Sequence, residues 1–245
     1  NALHGQFGED GYIQTILDRF KIPYTHSGAI ASSIAMDKEI SKKLFIKNKI
    51  KTPKFFTYSY DITKSNLIKK ISKNLRFPVV IKPLNEGSSV NVYISSKKTV
   101  DKILYKLKVY KKVLIEEFIG GREIQVAIMG DKKLGAIELK PKRKFYDYKA
   151  KYDSKSKTQH IIPVDLTKSK FNKVMDIAYK AHKIIGCRGV TRSDFKFFNG
   201  NFYLLELNTQ PGMTKLSLVP EIALYRGISF LKLIEWMLKD ASKKK

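Results

Sequence analysis

The chain has 245 residues, 43% of them hydrophobic and 11% aromatic, enough for one large core or two modest ones and too much for a disordered chain. Its 48 Lys+Arg against 22 Asp+Glu give a formal charge of +26, a balance that invites a nucleic-acid reading. The lysines are spread along nearly every predicted helix, and no helix-turn-helix, zinc-finger or aromatic RNA-binding signature accompanies them, so a solvated Lys-rich surface that also attracts small anions is the simpler account. There is no apolar run of about 18 residues to span a membrane, and the single Cys187 suits core packing in a reducing compartment. The start, NALHGQFGED, has neither an initiator Met nor the basic-then-apolar order of a signal peptide, so the chain is expected to be N-terminally incomplete.

GEDGYIQTILDRF predicts a helix with Glu9 and Asp10 in its first turn and Ile13, Ile16, Leu17 and Phe20 on one face. A second helical block from Ala31 to Lys49 carries Met36, Ile40, Leu44 and Phe45, and Pro53 ends it. The chain then alternates: KFFTYSY a strand, SNLIKKISKNL a helix, FPVVIKP and VNVYI strands, TVDKILYKLKVY a helix, KVLIEEF a strand. REIQVAIMGDKKLGAIELK predicts a hairpin about Gly-Asp, and the polar, aromatic stretch from Lys142 to Gln159 has the length of a functional loop. A long helix (SKFNKVMDIAYKAHKIIG), a second hairpin turning at Asn199-Gly200 and two terminal helical segments complete it. Helices mixed with antiparallel hairpins predict an α+β (mixed α/β) fold.

Side chains alternate along a strand, so Glu206 and Asn208 in LELNTQPGMT share a face. Pairing outward from Asn199-Gly200 puts Asp194 opposite the far end of the second strand. Three oxygen-bearing side chains converging there suit a hard cation such as Mg²⁺, which is commonly shared with substrate phosphates. VVIKPLNEGSSV places Lys82 at a strand end before a Gly-Ser loop that could turn amides and hydroxyls toward phosphate. Taken alone that loop is an ordinary turn, and a strand-end lysine can simply snorkel.

HGQFGEDGYIQTILDRFKIPYTHSG, MDK, VVIKPLNEGSSV, FYDYKAKY, CRGVTRSDF and LELNTQPGMTKLSLVPE together resemble, in order and near spacing, the D-alanine–D-alanine ligases of the ATP-grasp superfamily. The resemblance implies two α+β subdomains clasping ATP: 1–30 as a remnant of an N-terminal substrate domain, 31–120 as the central subdomain, and 121–245 as the C-terminal subdomain with metal site and lid. It implies a cytoplasmic, commonly dimeric enzyme of peptidoglycan synthesis, without nucleic-acid or membrane partners, that phosphorylates one D-alanine and lets a second attack the acyl phosphate. By the same resemblance, Lys38 and Lys82 contact the ATP phosphates, Gly87-Ser88-Ser89 covers them, backbone groups of Glu117 and Ile119 read the adenine, and Glu123 accepts the ribose hydroxyls. Lys151 binds the γ-phosphate, Tyr152 and Ser88 hold the first D-alanine with His4 nearby, and Tyr152 favours D-alanine over D-lactate as second substrate. Arg192 and the Gly212 N–H stabilise the developing oxyanion, Ser217 and Leu218 receive the second carboxylate, and Asp194, Glu206 and Asn208 hold two Mg²⁺, with Mn²⁺ as a substitute. Two departures stand out: nothing matches the family's opening Gly-rich strand-turn with its Ser and Glu, and Asn91 replaces the second glycine of GSSVG. An ATP-grasp ligase for another amino or hydroxy acid, and a basic nucleic-acid-binding protein, stand as the alternatives.

Overall fold

The computed structural model describes residues 1–87, 89–140 and 158–243. Helix α1 (Tyr12–Arg19) starts later than its composition predicts, because Gly11 takes a left-handed φ of 98° and breaks the register. Glu9 and Asp10 therefore lie before the helix and tie the preceding turn, accepting from Gly5 N at 2.8 Å and Phe7 N at 2.9 Å. The buried residue of α1 is Gln14, whose amide donates to Gly8 O, whereas Ile16 and Phe20 face solvent.

The second helical block is two helices, α2 (Ala29–Met36) and α3 (Lys38–Lys47). Asp37 separates them in an extended conformation and caps α3, its carboxylate accepting from the N–H groups of Glu39 and Ile40. The inward face of α3 carries Lys38, Ser41, Lys42 and Phe45, while Ile40 is exposed. Two buried lysines on one helix face reverse what apolar periodicity alone would give.

β1 (Phe55–Tyr58), α4 (Lys64–Asn74), β2 (Val79–Pro83), β3 (Tyr93–Ser95), α5 (Val100–Lys106) and β4 (Val113–Glu117) follow. Their strands form an antiparallel sheet of order β1-β4-β2-β3. Its core joins Leu67 and Ile71 of α4 to Val79, Ile81, Val113 and Ile115.

The second, larger sheet runs β7-β6-β5-β8-β9, built from β5 (Arg122–Met129), β6 (Lys132–Lys140), β7 (Gln159–Ile161), β8 (Val190–Phe198) and β9 (Asn201–Asn208). It is covered on both faces. Ile124, Val126 and Ile128 pack with Val174 and Ala178 of α6 (Lys168–Ile185), and Ala127 and Met129 pack with Ile222 of α7 (Leu218–Tyr225) and Leu233 of α8 (Phe230–Ala241). Double coverage explains why β5 reads as an apolar run rather than an alternation. Ala31, Ala35, Phe45 and Ile50 belong to this core too, so residues 31–50, grouped by sequence with the central unit, pack under the larger sheet.

Both hairpins turn where the sequence places them. Gly130-Asp131 joins β5 to β6 with φ of 59° at the glycine, and Asn199-Gly200 joins β8 to β9 with φ of 45° and 73°.

Candidate active site

A cleft of about 740 Å³, its open mouth included, lies between the two sheets. Of the residues picked out in the sequence, Lys38, Lys82, Ser89, Glu117, Ile119, Glu123, Asp194 and Glu206 line it. Val80, Val92, Phe118 and Leu205 add apolar walls, so one cleft offers both a slot for a flat ring and a cluster of charge.

The wall on the smaller sheet is cationic and sealed from water. Glu116 projects from near the end of β4 between two lysines, with Lys82 Nζ 2.6 Å from Oε1 and Lys42 Nζ 2.9 Å from Oε2. Lys42, fully buried, also donates to Thr52 Oγ1 at 2.6 Å. Burial pushes the Lys42 ammonium down to about 8. For Glu116, burial acts upward, but the two lysines outweigh it and hold the carboxyl below its usual range. Lys38 is buried as well, donates to the Glu86 carbonyl, and stands 3.9 Å from Glu206 Oε2. Burial lowers its pKa, with the Glu206 charge opposing. Neither Glu116 nor Lys42 was singled out in the sequence. Glu116 could have been, since VLIEE and VVIKP are two apolar runs that give way to charge, Glu116-Glu117 in one and Lys82 in the other, on strands that prove to be neighbours.

The opposite wall is built by β8 and β9. Asp194 pairs with Glu206 and Arg192 with Asn208 in strand register. Between Leu204 and Glu206 the strand carries one extra residue, a β-bulge that shifts the register opposite Asp194/Phe195. Its effect is to re-aim side chains: Phe202 and Leu204 point into the core, Leu205 and Glu206 both face the cleft, and burial resumes at Leu207. In an unbulged strand of the same sequence, Glu206 would follow Leu204 inward. Arg192 grips Asp194 through two bonds, Nε to Oδ1 at 2.7 Å and Nη2 to Oδ2 at 3.0 Å, and the Gln125 amide faces the same carboxylate from β5. Lys196 Nζ lies 3.0 Å from Glu123 Oε2.

His4, Gly212, Ser217 and Leu218 sit outside the cleft lining. His4 is half-exposed with Nδ1 3.8 Å from Glu9 Oε2. Ser217 and Gly212 are brought together, since a Cβ on Gly212 would lie 3.1 Å from Ser217 Oγ, and that hydroxyl accepts from Thr214 N at 3.0 Å. Leu218 begins α7 and packs beside Leu139. Ser88, Lys151 and Tyr152 lie outside the described residues.

The family model described as "D-ala D-ala ligase C-terminus" matches residues 44–239 of this chain. The chain belongs to the D-alanine–D-alanine ligase family. Its relative from Pelagibacter ubique (strain HTCC1062), named D-alanine–D-alanine ligase, is 72% identical over 242 residues, covering 99% of this chain and 80% of that protein. The Rhodospirillum rubrum protein of the same name is 43% identical over 243 residues, covering 98% and 78%. A crystal structure of the Bacillus anthracis ligase complexed with ATP superposes with a TM-score of 0.82 at 30% identity, covering 98% of this chain and 77% of that one. The ATP-grasp fold expected of this family is thus the fold observed.

The donor chemistry on the β8–β9 wall fits Mg²⁺. Asp194 and Glu206 are opposed carboxylates, and Asn208 adds an amide oxygen that already accepts from Gln210 N at 2.9 Å. Among the described residues, no group of three or more His, Cys, Asp or Glu is arranged to hold a metal. Mg²⁺ needs no such cage, since it is commonly held by one or two carboxylates with water and substrate phosphates completing the shell.

Proposed function

We propose that this chain joins two D-alanines into D-alanyl-D-alanine, with ATP converted to ADP and phosphate through an acyl phosphate, in peptidoglycan synthesis in the cytoplasm. The observation that carries this reading is the opposition of two walls across one cleft: Lys38 and Lys82 on one side, Asp194 and Glu206 on the other. A phosphoryl group in flight needs positioning and charge neutralisation more than covalent help, and this arrangement supplies both.

Lys38 and Lys82 hold the phosphates, with Ser89 beside them and Ser88 assigned to the same loop by the family motif. The apolar walls take the adenine, whose edge meets backbone groups of Glu117 and Ile119, and Glu123 accepts the ribose hydroxyls. Asp194, Glu206 and Asn208 hold two Mg²⁺ or, in its place, Mn²⁺, which neutralise phosphate charge when bound. Arg192, held in orientation by Asp194, places its guanidinium toward the developing negative charge, and the Gly212 N–H adds a second donor. Ser217 and the N-terminus of α7 at Leu218 receive the carboxylate of the second D-alanine, a placement favoured by unsatisfied helix N–H groups. His4, Lys151 and Tyr152 complete the first D-alanine and γ-phosphate contacts. The active form is a homodimer with no nucleic-acid or membrane partner.

ADP release from ATP and Mg²⁺ on addition of D-alanine tests the reading. Turnover that depends on D-alanine is the expected result. Absence of turnover overturns it, and turnover only with D-lactate present selects a ligase of different acceptor.

A further inference from the structure

Asn91 occupies a position where the family motif carries glycine, and the backbone shows how it is accommodated. Its φ is +55°, in the left-handed region that glycine enters freely and asparagine tolerates better than most residues. The turn is kept, and a side chain is added. That side chain is fully engaged: Asn91 Nδ2 donates to Tyr110 Oη at 2.7 Å, and Tyr93 Oη donates to Asn91 Oδ1 at 3.2 Å.

Tyr110 closes a short 3₁₀ turn, Lys108–Tyr110, outside the phosphate loop. Its hydroxyl accepts from Asn91 and also faces Glu86. Burial raises its pKa, the Asn91 bond opposes the rise and the Glu86 carboxylate adds to it, so the proton stays on the oxygen. Glu86 and Asn91 bracket the loop, and both meet this one hydroxyl. Between them, Ser89 lines the cleft, and the Glu86 carbonyl receives Lys38 Nζ.

We propose that Asn91, held between Tyr93 and Tyr110, is a positioning residue that latches the phosphate loop in its nucleotide-binding shape before the nucleotide arrives. This rests on the reading of the cleft as an ATP site. Asn91 need not touch the phosphates. A glycine at this position would leave the loop free to sample more backbone states, and ordering it on binding would cost affinity. The latch removes part of that cost in advance, so it acts on nucleotide binding more than on the chemical step.

The test uses the whole chain with Asn91→Gly, Tyr110→Phe and the double variant, reading Mg-ADP affinity by calorimetry, KM for ATP, kcat, and amide exchange across residues 86–92. Tyr110→Phe is expected to weaken Mg-ADP binding and raise KM about fivefold, the worth of one side-chain hydrogen bond, and Asn91→Gly at least as much, since it also removes the Tyr93 bond. Amide exchange in the loop accelerates, and kcat at saturating ATP stays within about twofold. The double variant is expected to be no weaker than the weaker single, because both remove one shared bond. Unchanged affinity and exchange in Asn91→Gly, or a double variant equal to the product of the singles, overturns the latch. If the unmodified chain shows this binding pattern without D-alanine-dependent ADP release, the ligase reading fails and the latch stands. If it binds no Mg-ADP, both fail.

Discussion

The two walls of the cleft manage charge in opposite ways. On the wall formed by the smaller sheet and α3, Lys42, Glu116 and Lys82 have side chains 0%, 4% and 7% exposed, and each carries its partner with it into the interior. On the larger sheet, Glu206 is 29% exposed at the end of β9, close to water and to any cation that enters. The difference separates a fixed field from an adjustable one. The buried triad carries one surplus positive charge whose geometry the fold determines, whereas Glu206 opposite sits where ligands can complete its coordination.

Removing Glu116 is the strongest way to break this contrast. Glu116→Ala strands two lysines in a dry interior, and the expected loss is about 3–5 kcal/mol in urea unfolding. Adding Lys42→Met to that variant is expected to recover part of the loss, and no recovery would show that the pair is not electrostatically coupled. On the open wall the effect moves from stability to rate: Glu206→Gln is expected to lower turnover about 100-fold at limiting Mg²⁺ with the unfolding temperature unchanged. Unaltered kinetics there would remove Glu206 from the metal site.

Protons probe the interior from a third direction. Burial pushes both His26 and His182 down to about 4, against an ordinary 6.5. The folded protein keeps both neutral while the unfolded chain protonates near 6.5, so stability is intact above that value and falls as pH drops from 6.5 toward 4. Thermal unfolding across that range is expected to show the decline. His182→Gln, which retains a partner for Thr191 Oγ1, should flatten it; an equal slope would assign the loss to other groups. The smallest effect belongs to the surface. Lys64 and Asp101 are paired at 2.5 Å with side chains 67% and 42% exposed, and Lys64→Ala is expected to shift stability by less than about 0.5 kcal/mol. A loss comparable to that of Glu116→Ala would erase the distinction between buried and exposed charge.

Much of the site was legible in the sequence because hairpin turns carry strong local signals. Asn199-Gly200 sets the pairing of β8 with β9 and so brings Asp194 opposite the far end of β9, while the bulge at Leu205, which no local signal announces, sets Glu206 directly against it. The lysines were harder. In a chain with 48 Lys+Arg, nothing local distinguishes Lys42, which is buried, from Lys43, which is exposed one residue later. Tertiary contact with Glu116 decides it, and that contact spans many residues. The break at Asp37 was missed for a different reason: an N-cap inside an otherwise helical composition is decided by one residue's backbone, which periodicity averages away. At α1 the same applies to Gly11, where a single left-handed residue delays the helix past Glu9 and Asp10.

The extra residue at Leu205 has a consequence for how this hairpin can vary in length. Because side chains change face at every step, the distance along the chain from Asn199-Gly200 to Glu206 has a parity, and the bulge sets it. Deleting one residue from that segment would straighten the strand and keep Glu206 opposite Asp194, while deleting two would set the acid against Phe195 and the core. The site is therefore compatible with loss of the bulge's own residue but not of a second, a constraint written in the count of residues rather than in their identity.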